Sequence, residues 1–324
     1  MKLSRRELIL SAGGTMLASA FPAFAGSIGN ARPRTLRGPA FGASWSLVAA
    51  GSWDAKAVRA AFEPIVASVD GAMSPFRADS EVSRFNRAAS TGWQEASAAT
   101  CMVVKEGLRI AALTGNAFNP TVGPLVGRYG FGPIQGGLPG LPEEITVGKE
   151  SIRKARAALS LDLCGIAKGH ALDRMVAACR EQGMTDFLVE LGGEVFANGR
   201  HPSGRRWQVG IERPSLAGGF QRAVALDGAS LATSGNAVNG YAYGGRRYSH
   251  IIDPATGLPA ASALASVTVA AETAMTADAL ATALYAMGPE RGPDFAHSAE
   301  IEAFFVMSDA SEVASGGFEA RILA

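Results

Sequence analysis

His250 is one of four histidines in the chain, and it stands close to a carboxylate that begins a Pro/Gly turn. It belongs to the stretch SHIIDPATGLP, residues 249–259, in which Asp253 follows three residues later. Apolar residues before such a turn are typical of the end of a strand, and the Asp accepts hydrogen bonds from the backbone that follows. An imidazole titrates near neutral pH and can act as a general base. Two interpretations remain open from this stretch alone: a catalytic base, or a strand residue whose ring is hydrogen-bonded.

A lysine beside two glycines occurs in the stretch LDLCGIAKGHALD, residues 161–173. The pattern predicts a strand that ends near Asp162 and a helix that begins near Ala167. Backbone N–H groups at the start of a helix attract an anion, and Lys168 adds a positive charge there. An ordinary strand–helix junction with a solvated lysine would show the same sequence, so both interpretations remain open.

Asp278 and Thr282 are four residues apart in TADALATAL, residues 276–284, and therefore share one face of a helix. The rest of that face is Ala and Leu, where an unpaired buried carboxylate would be costly. A hard cation such as Mg²⁺ binds a carboxylate, a hydroxyl and carbonyl oxygens. The alternative is that Thr276 is the N-cap and that the helix dipole simply favours Asp278 in the first turn.

The elements that must position these groups are predicted from hydrophobic periodicity and turn residues. Helices are expected over residues 54–73, 80–88, 97–115, 167–183 and 276–288. Strands are expected over residues 41–50, 158–163, 206–214, 222–228, 230–235, 246–253, 264–271 and 301–308, with two more within 186–199. Strands come in runs without strict alternation with helices, which favours an α+β fold over a doubly wound parallel sheet. The Gly/Pro-rich loop 129–144 is the predicted boundary between two lobes.

The composition restricts the class of protein. The chain has 324 residues, 48 % of them hydrophobic and 18 % charged, so a large core is expected and disorder is not. The net charge of +1 argues against a nucleic-acid-binding protein, which needs clustered Lys and Arg. The sequence has no Rossmann GxGxxG after a strand, no Walker loop, no HExxH or GxSxG motif and no zinc spacing of Cys and His.

Three cysteines form no CxxC pair, and an odd number cannot make a closed set of disulfides. Cys101 and Cys179 lie in apolar helical patterns and are expected to be buried. For Cys164, a small core residue is favoured over a thiol nucleophile.

The N-terminal residues have the pattern of an export signal. Arg5 and Arg6 precede a mildly apolar segment, residues 8–20, and the small residues of Ala23–Ala25 supply a cleavage site. Paired arginines before such a segment resemble a bacterial twin-arginine signal, so residues 1–25 are predicted to be removed. The mature protein, residues 26–324, is expected in the periplasm. It is expected to have no membrane anchor, because no lipid-anchor cysteine stands near the cleavage site and no later apolar run is long enough to span a membrane.

Seven motifs, taken in order, resemble the ApbE family of FAD:protein FMN transferases over roughly residues 36–308. They are FGASW, MSPFRADSEVSRFN, GNAFNPTVGPLVGRYGFG, LDLCGIAKGHALD, LVELGGEVFANG, TSG…YSHIIDPATGLP and TADALATAL. The resemblance implies an α+β, T-fold-like architecture of two lobes with FAD in the cleft between them. It also implies an enzyme that cleaves the pyrophosphate of FAD, transfers FMN to a Thr hydroxyl of an acceptor protein and releases AMP.

The resemblance assigns roles to individual residues. It implies Mg²⁺ ligands at Asp278, at Thr282 and at the backbone carbonyl of Gly165. It places His250 at the reaction centre, with Asp253 shaping the turn or orienting the ring. The positions that match FAD-lining residues are Phe41, Phe76, Ala117, Phe118, Asn119, Asp162, Lys168 and Ile252.

Three departures from the family pattern fall in the flavin pocket. Phe41-Gly42-Ala43 replaces the usual Met-Gly-Thr, and Asn119 replaces an Asp, which removes a carboxylate. Phe76 stands where Tyr is frequent, which removes a hydroxyl. The proposed metal face keeps the family's residue types.

The implied partners are FAD and an exported or membrane-anchored acceptor flavoprotein with a target Thr. In its expected twin-arginine export without a lipid anchor, the chain resembles the family members that serve nitrous-oxide reductase maturation. Two other functions remain open: an FAD pyrophosphatase, in which water attacks and gives FMN and AMP, and a non-enzymatic periplasmic FAD carrier.

Overall fold

The computed structural model describes residues 32–137, 139–213, 219–235, 240–243, 246–260 and 263–323. The predicted signal segment, residues 1–25, lies outside the described residues. None of the helices in the described part of the chain is long and apolar enough to cross a membrane.

Helices and strands are both abundant in these ranges. The α-helices are α1 (Ala55–Met73), α2 (Glu81–Arg87), α3 (Ala98–Leu113), α4 (Gly123–Arg128), α5 (Ala167–Glu181) and α6 (Ala274–Ser298). The strands are β1 (Arg34–Ala40), β2 (Ala43–Ala49), β3 (Gln94–Glu95), β4 (Ile145–Val147), β5 (Ser151–Lys154), β6 (Phe187–Leu191), β7 (Glu194–Asn198), β8 (Trp207–Glu212), β9 (Phe220–Leu226), β10 (Ala229–Gly235), β11 (Gly240–Tyr243), β12 (Arg246–Ser249), β13 (Ile252–Asp253), β14 (Leu258–Pro259), β15 (Leu264–Ala271), β16 (Ala303–Met307) and β17 (Glu312–Ser315).

A single eight-stranded sheet organises the fold, in the order β1-β2-β6-β7-β10-β15-β16-β17. Every neighbouring pair in it is antiparallel. The strands β8 and β9 form a separate hairpin, as do β11 and β12. The predicted α+β class is confirmed, because the helices pack on an antiparallel sheet rather than alternating with parallel strands.

Both faces of the large sheet are covered by apolar side chains. On one face, α5 packs against α1 and α6, and α6 packs against β10 and β15. Trp45 and Phe62 are fully buried there with their ring centroids 5.0 Å apart. On the other face, Phe304 stacks on Phe318 in a smaller core. Burial on both faces explains why the central strands are apolar along their whole length.

The predicted helices are confirmed, with their caps. Ser80 begins α2, and its side chain accepts a hydrogen bond from the N–H of Ser83. Gly183 follows α5 with φ of +75°, which only glycine adopts readily. The last long helix differs from expectation, because its N-cap is Thr273 rather than Thr276 and it continues to Ser298 across a kink at Gly288.

The predicted strand 158–163 is wrong. No strand of the described residues pairs with this segment, and side chains bond to the backbone of Leu159 and Leu161. The Asn86 side-chain amide donates to the carbonyl of Leu161 and accepts from its N–H. Lys154 Nζ donates to the carbonyl of Leu159 at 3.0 Å. The strand expected over 246–253 is likewise divided, because β12 ends at Ser249 and β13 begins at Ile252. The lobe boundary in loop 129–144 stays a prediction.

Candidate active site

The helices α5 and α6 are in close contact at Gly169. A Cβ added at Gly169 would lie 2.3 Å from the carbonyl oxygen of Ala274, so only glycine permits this contact. The N–H of Gly169 donates to Asp278 Oδ2 at 3.1 Å. The first turn of α5 is thereby held against the buried carboxylate of α6.

Asp278, Thr282 and Gly165 lie together, as the family resemblance implies. A Cβ added at Gly165 would lie 3.1 Å from Thr282 Oγ1, so the backbone of this turn is close to the hydroxyl. Ser234 Oγ lies 3.3 Å from the same Thr282 oxygen and brings the end of β10 to the site. Asp278 is in the second turn of α6 and almost fully buried, which excludes the interpretation that it is only a first-turn dipole partner. We call Gly165, Asp278 and Thr282 the oxygen site.

Lys168 lies between two carboxylates. Its ammonium bonds to Glu194 Oε1 and lies 3.7 Å from Asp278 Oδ1. The side chain of Glu194 is 2 % exposed and that of Lys168 is 34 % exposed. Burial alone would lower the pKa of Lys168, but the charges of Asp278 and Glu194 outweigh this and raise it above its usual range. Burial raises the pKa of both carboxylates, against the opposing effect of the Lys168 charge.

Glu194 is a residue that the sequence analysis did not single out. It begins β7, directly after a turn in which Gly192 and Gly193 have φ of +59° and +110°. The tight turn brings this carboxylate back over Lys168, 26 residues earlier in the chain. A signal was present, because LVELGGEVFANG places a Glu within an otherwise apolar strand.

The oxygen site fits a hard divalent cation of the Mg²⁺ type. No group of three or more His, Cys, Asp and Glu among the described residues could hold a metal ion. Mg²⁺ needs no such group, since it commonly binds through one or two carboxylates and keeps water or phosphate oxygens as its other ligands. Glu194 Oε2 is buried and has no hydrogen-bond partner in the described part of the chain. Two carboxyl groups face a single ammonium here, so a bound cation would favour the ionised form of the second.

The turn before α5 is fixed by groups from distant parts of the sequence. Asp162 Oδ1 accepts from the N–H of Cys164 at 3.0 Å, and its own N–H donates to the carbonyl of Pro120 at 2.7 Å. The fully buried Lys154 donates to the carbonyls of Phe85 and Leu159. The predicted buried position of Cys164 is wrong, because this turn leaves the residue exposed, whereas Cys101 and Cys179 are buried as expected.

The run Ala117, Phe118 and Asn119 is buried beside this turn. The Phe118 ring packs against Gly165, at 3.3 Å from a Cβ added there. The Asn119 amide is occupied within the protein: Oδ1 accepts from the N–H of Thr121 at 2.8 Å, and Nδ2 donates to the carbonyl of Gly140 at 3.1 Å. An ionised aspartate could not make the second bond, so an Asn at position 119 has a structural consequence here.

His250 lies between β12 and β13, at the end of the β11–β12 hairpin. Its ring meets the ring of Phe131 edge-on, with centroids 6.2 Å apart, and Phe131 in turn stacks on Tyr241. Asp253 shapes the following turn, because its carboxylate accepts from the N–H of Ala255 and from the hydroxyl of Thr256, each at 3.0 Å. Ile252 is buried, and β13 packs against α6.

The two remaining candidates lie in turns. Phe41 occupies the β1–β2 turn with φ of 51°, a strained value for a residue with a side chain. This turn reaches the site through Ala43, since a Cβ added at Gly192 would lie 3.8 Å both from Ala43 Cβ and from Lys168 Cδ. Phe76 follows α1 and is 67 % exposed, which leaves its ring free to stack on a ligand.

The structure therefore gathers most of the predicted residues around the first turns of α5 and α6. The His250 segment connects to them through α4: Gly257 packs on Leu125, and Gly123 packs on Asp162. A cavity of about 390 Å³ beside α3 includes Lys105, Glu106 and Arg109 in its lining. No predicted site residue lines it, so we assign the function to the polar cluster and not to this cavity.

Known proteins share both the sequence and the architecture. A model of the ApbE family matches residues 41–305. An FAD:protein FMN transferase of Vibrio cholerae is 35 % identical over 290 residues, which are 84 % of this chain and 86 % of that protein. The structure of the flavin transferase ApbE from Vibrio cholerae matches with a TM-score of 0.81 and 33 % identity, over 90 % of this chain and 99 % of that one. The apo flavinyl transferase ApbE of Pseudomonas stutzeri matches with a TM-score of 0.82 and 31 % identity, over 91 % and 98 % of the two chains.

Proposed function

This chain belongs to the ApbE family, and on that premise we propose that it transfers FMN from FAD to a threonine hydroxyl of an acceptor protein and releases AMP. Relatives that carry the name FAD:protein FMN transferase support the reaction class. The observation that carries the proposal is the convergence of Asp278, Thr282 and Gly165 beside Lys168 at the start of α5.

The diphosphate of FAD is the group that this cluster suits. The N-terminal end of α5 favours an anion, and the Lys168 ammonium, although it is bonded to Glu194, lies at the same place. Mg²⁺ at the oxygen site would neutralise phosphate charge and polarise the phosphorus that is attacked. Phe76, two-thirds exposed, offers an aromatic face for the isoalloxazine ring.

The chemical step moves one proton and exchanges one P–O bond. The acceptor hydroxyl oxygen forms a bond to the FMN phosphorus, while the bond from that phosphorus to the bridging oxygen breaks. The electron pair leaves with the AMP phosphate. His250 takes the proton of the hydroxyl as the general base, and Asp253 shapes the turn that follows it.

We further propose that the protein acts in the periplasm after twin-arginine export, on an exported or membrane-anchored flavoprotein. The paired Arg5 and Arg6 and the following apolar segment support the export route. The family branch that serves nitrous-oxide reductase maturation is the narrower proposal, and the twin-arginine pattern of Arg5 and Arg6 supports it.

One experiment tests the reaction and separates the alternatives. The mature protein is incubated with FAD, Mg²⁺ and candidate exported acceptors, and mass spectrometry follows FMN on a threonine and AMP in solution. We expect both products in equal amounts, none in excess EDTA, and recovery when Mg²⁺ is added back. FMN and AMP without acceptor modification would identify a pyrophosphatase, and unchanged FAD would identify a carrier.

A further inference from the structure

We propose that Glu194 is a positioning residue: it holds the Lys168 ammonium beside Asp278, so that Asp278 stays available to a divalent cation. The inference rests on the proposed function, since it concerns the oxygen site of that reaction. It assigns a role to a buried carboxylate that the sequence motifs do not explain.

The geometry distinguishes the two carboxylates that face Lys168. The ammonium bonds directly to Glu194 Oε1, whereas its distance of 3.7 Å to Asp278 Oδ1 is too long for a hydrogen bond. Asp278 Oδ2 instead accepts from the N–H of Gly169. Lys168 is therefore committed to Glu194 and only adjacent to Asp278.

Glu194 is the rigid partner of the pair. Its side chain is 2 % exposed. Glu194 is the first residue of β7, and its backbone pairs with that of Leu191 on β6 across a two-glycine turn. Lys168 has a long side chain that is one-third exposed, so without Glu194 it is free to move. The second oxygen of Glu194 is buried without a hydrogen-bond partner among the described residues, so the carboxylate is not retained for local hydrogen bonding alone.

Removal of the Glu194 charge has a defined consequence. Asp278 would become the remaining carboxylate beside the Lys168 ammonium, and the ammonium would pair with it directly. A cation would then have to displace an ion pair that is now largely buried. Glu194→Gln should therefore weaken cation binding only while Lys168 is present, which is the signature of a positioning role.

The test measures Mg²⁺ affinity without FAD and without turnover. Mg²⁺ is titrated into the metal-free protein, and the rise in melting temperature gives an apparent Kd. We expect E194Q to raise this Kd at least about tenfold, whereas in a K168M background the same change should alter it by less than about twofold. The matched control is E190Q: Glu190 is also buried, on β6, but it accepts from Gly193 and Ser46, and its loss should leave the Kd unchanged.

The outcomes separate this inference from the function on which it rests. If the parent protein shows no stabilisation by Mg²⁺, the metal role in the proposed function fails, and the inference fails with it. If the parent is stabilised, an equal loss in both backgrounds would show that Glu194 acts as a ligand or through its charge, and no loss would show no role. If E194Q does not fold, E194D provides the test, because it keeps the charge but moves the carboxylate away from Lys168. We expect E194D to lose part of the Mg²⁺ affinity in the parent background and none in the K168M background.

Discussion

Asn86 and Leu161 are joined by two hydrogen bonds although they are 75 residues apart. The Asn86 amide oxygen accepts from the N–H of Leu161 at 2.7 Å, and the amide nitrogen donates to the carbonyl of Leu161 at 2.8 Å. A side chain thus takes the place of a neighbouring strand. Because Asp162 follows at once, Asn86 fixes the start of the turn that leads to Lys168 and the oxygen site.

Replacement of Asn86 by Ala should therefore disorder this turn. Both backbone groups of Leu161 lose their partners, and unsatisfied partly buried groups cost about 1–3 kcal/mol each. We expect the free energy of unfolding, measured by urea denaturation, to fall by about 2–4 kcal/mol. The control is Asn198→Ala, which removes one exposed hydrogen bond to Thr185 and should cost less than about 1 kcal/mol. Equal losses in the two variants would contradict the role given to Asn86.

Gly169→Ala should separate the two helices that build the site. Its Cβ would lie 2.3 Å from the Ala274 carbonyl oxygen, and overpacking of this kind costs about 1–3 kcal/mol or more. The matched control is Gly71→Ala within α1, where an added Cβ meets nothing within 4 Å. Because Ala is the better helix former, this control should gain about 0.5–1 kcal/mol. Thermal melts of both variants give opposite signs if α5 and α6 pack as described.

His170 should make the fold sensitive to acid. Its ring is buried and Nε2 has no hydrogen-bond partner among the described residues, and burial, with a smaller effect of the Arg174 charge, lowers its pKa to about 4. The unfolded chain takes up a proton near pH 6.5 whereas the folded chain does not. This contribution to stability is therefore complete above about pH 6.5 and is lost towards pH 4, by up to about 3 kcal/mol.

The measurement compares parent and His170→Leu by denaturation from pH 7 to pH 4. We expect the variant to lose less stability than the parent over this interval. The comparison removes the contribution of other groups, such as Asp173, whose pKa burial raises to about 6 and which acts in the opposite sense. His297→Leu, at an exposed histidine of α6, serves as the control and should follow the parent. Parallel curves for parent and His170→Leu would contradict the assignment.

Much of this architecture could be predicted because it depends on local pattern. The helical spacing of Asp278 and Thr282, and the glycines at 165 and 169 on either side of Lys168, are visible within a few residues. The contact of Glu194 with Lys168 and that of Asn86 with Leu161 could not be predicted in the same way, because the two residues of each contact are far apart along the chain. The false strand at 158–163 has the same origin: an apolar segment is extended in either case, and only tertiary contacts decide what satisfies its backbone.

Export is expected to depend on the paired arginines. Lys substituted for both Arg5 and Arg6 keeps the charge but removes the guanidinium pair that resembles a twin-arginine signal. Cell fractionation should then find the variant in the cytoplasm and the parent in the periplasm. A variant that reaches the periplasm at the parent level would show that another route carries the protein.

His250 is the central residue of the proposed mechanism, and its replacement by Ala tests that mechanism most directly. If His250 is the base, the rate of FMN transfer to an acceptor, followed by mass spectrometry, should fall by about 10²- to 10⁴-fold. The affinity for FAD should change by less than about tenfold, or about 1.4 kcal/mol, because the ring acts on the attacking hydroxyl and not on binding. His297→Ala should transfer FMN at the parent rate, and circular dichroism shows whether each variant is folded. A folded His250→Ala protein that transfers FMN as fast as the parent would contradict the account and leave His250 as a packed residue between two strands.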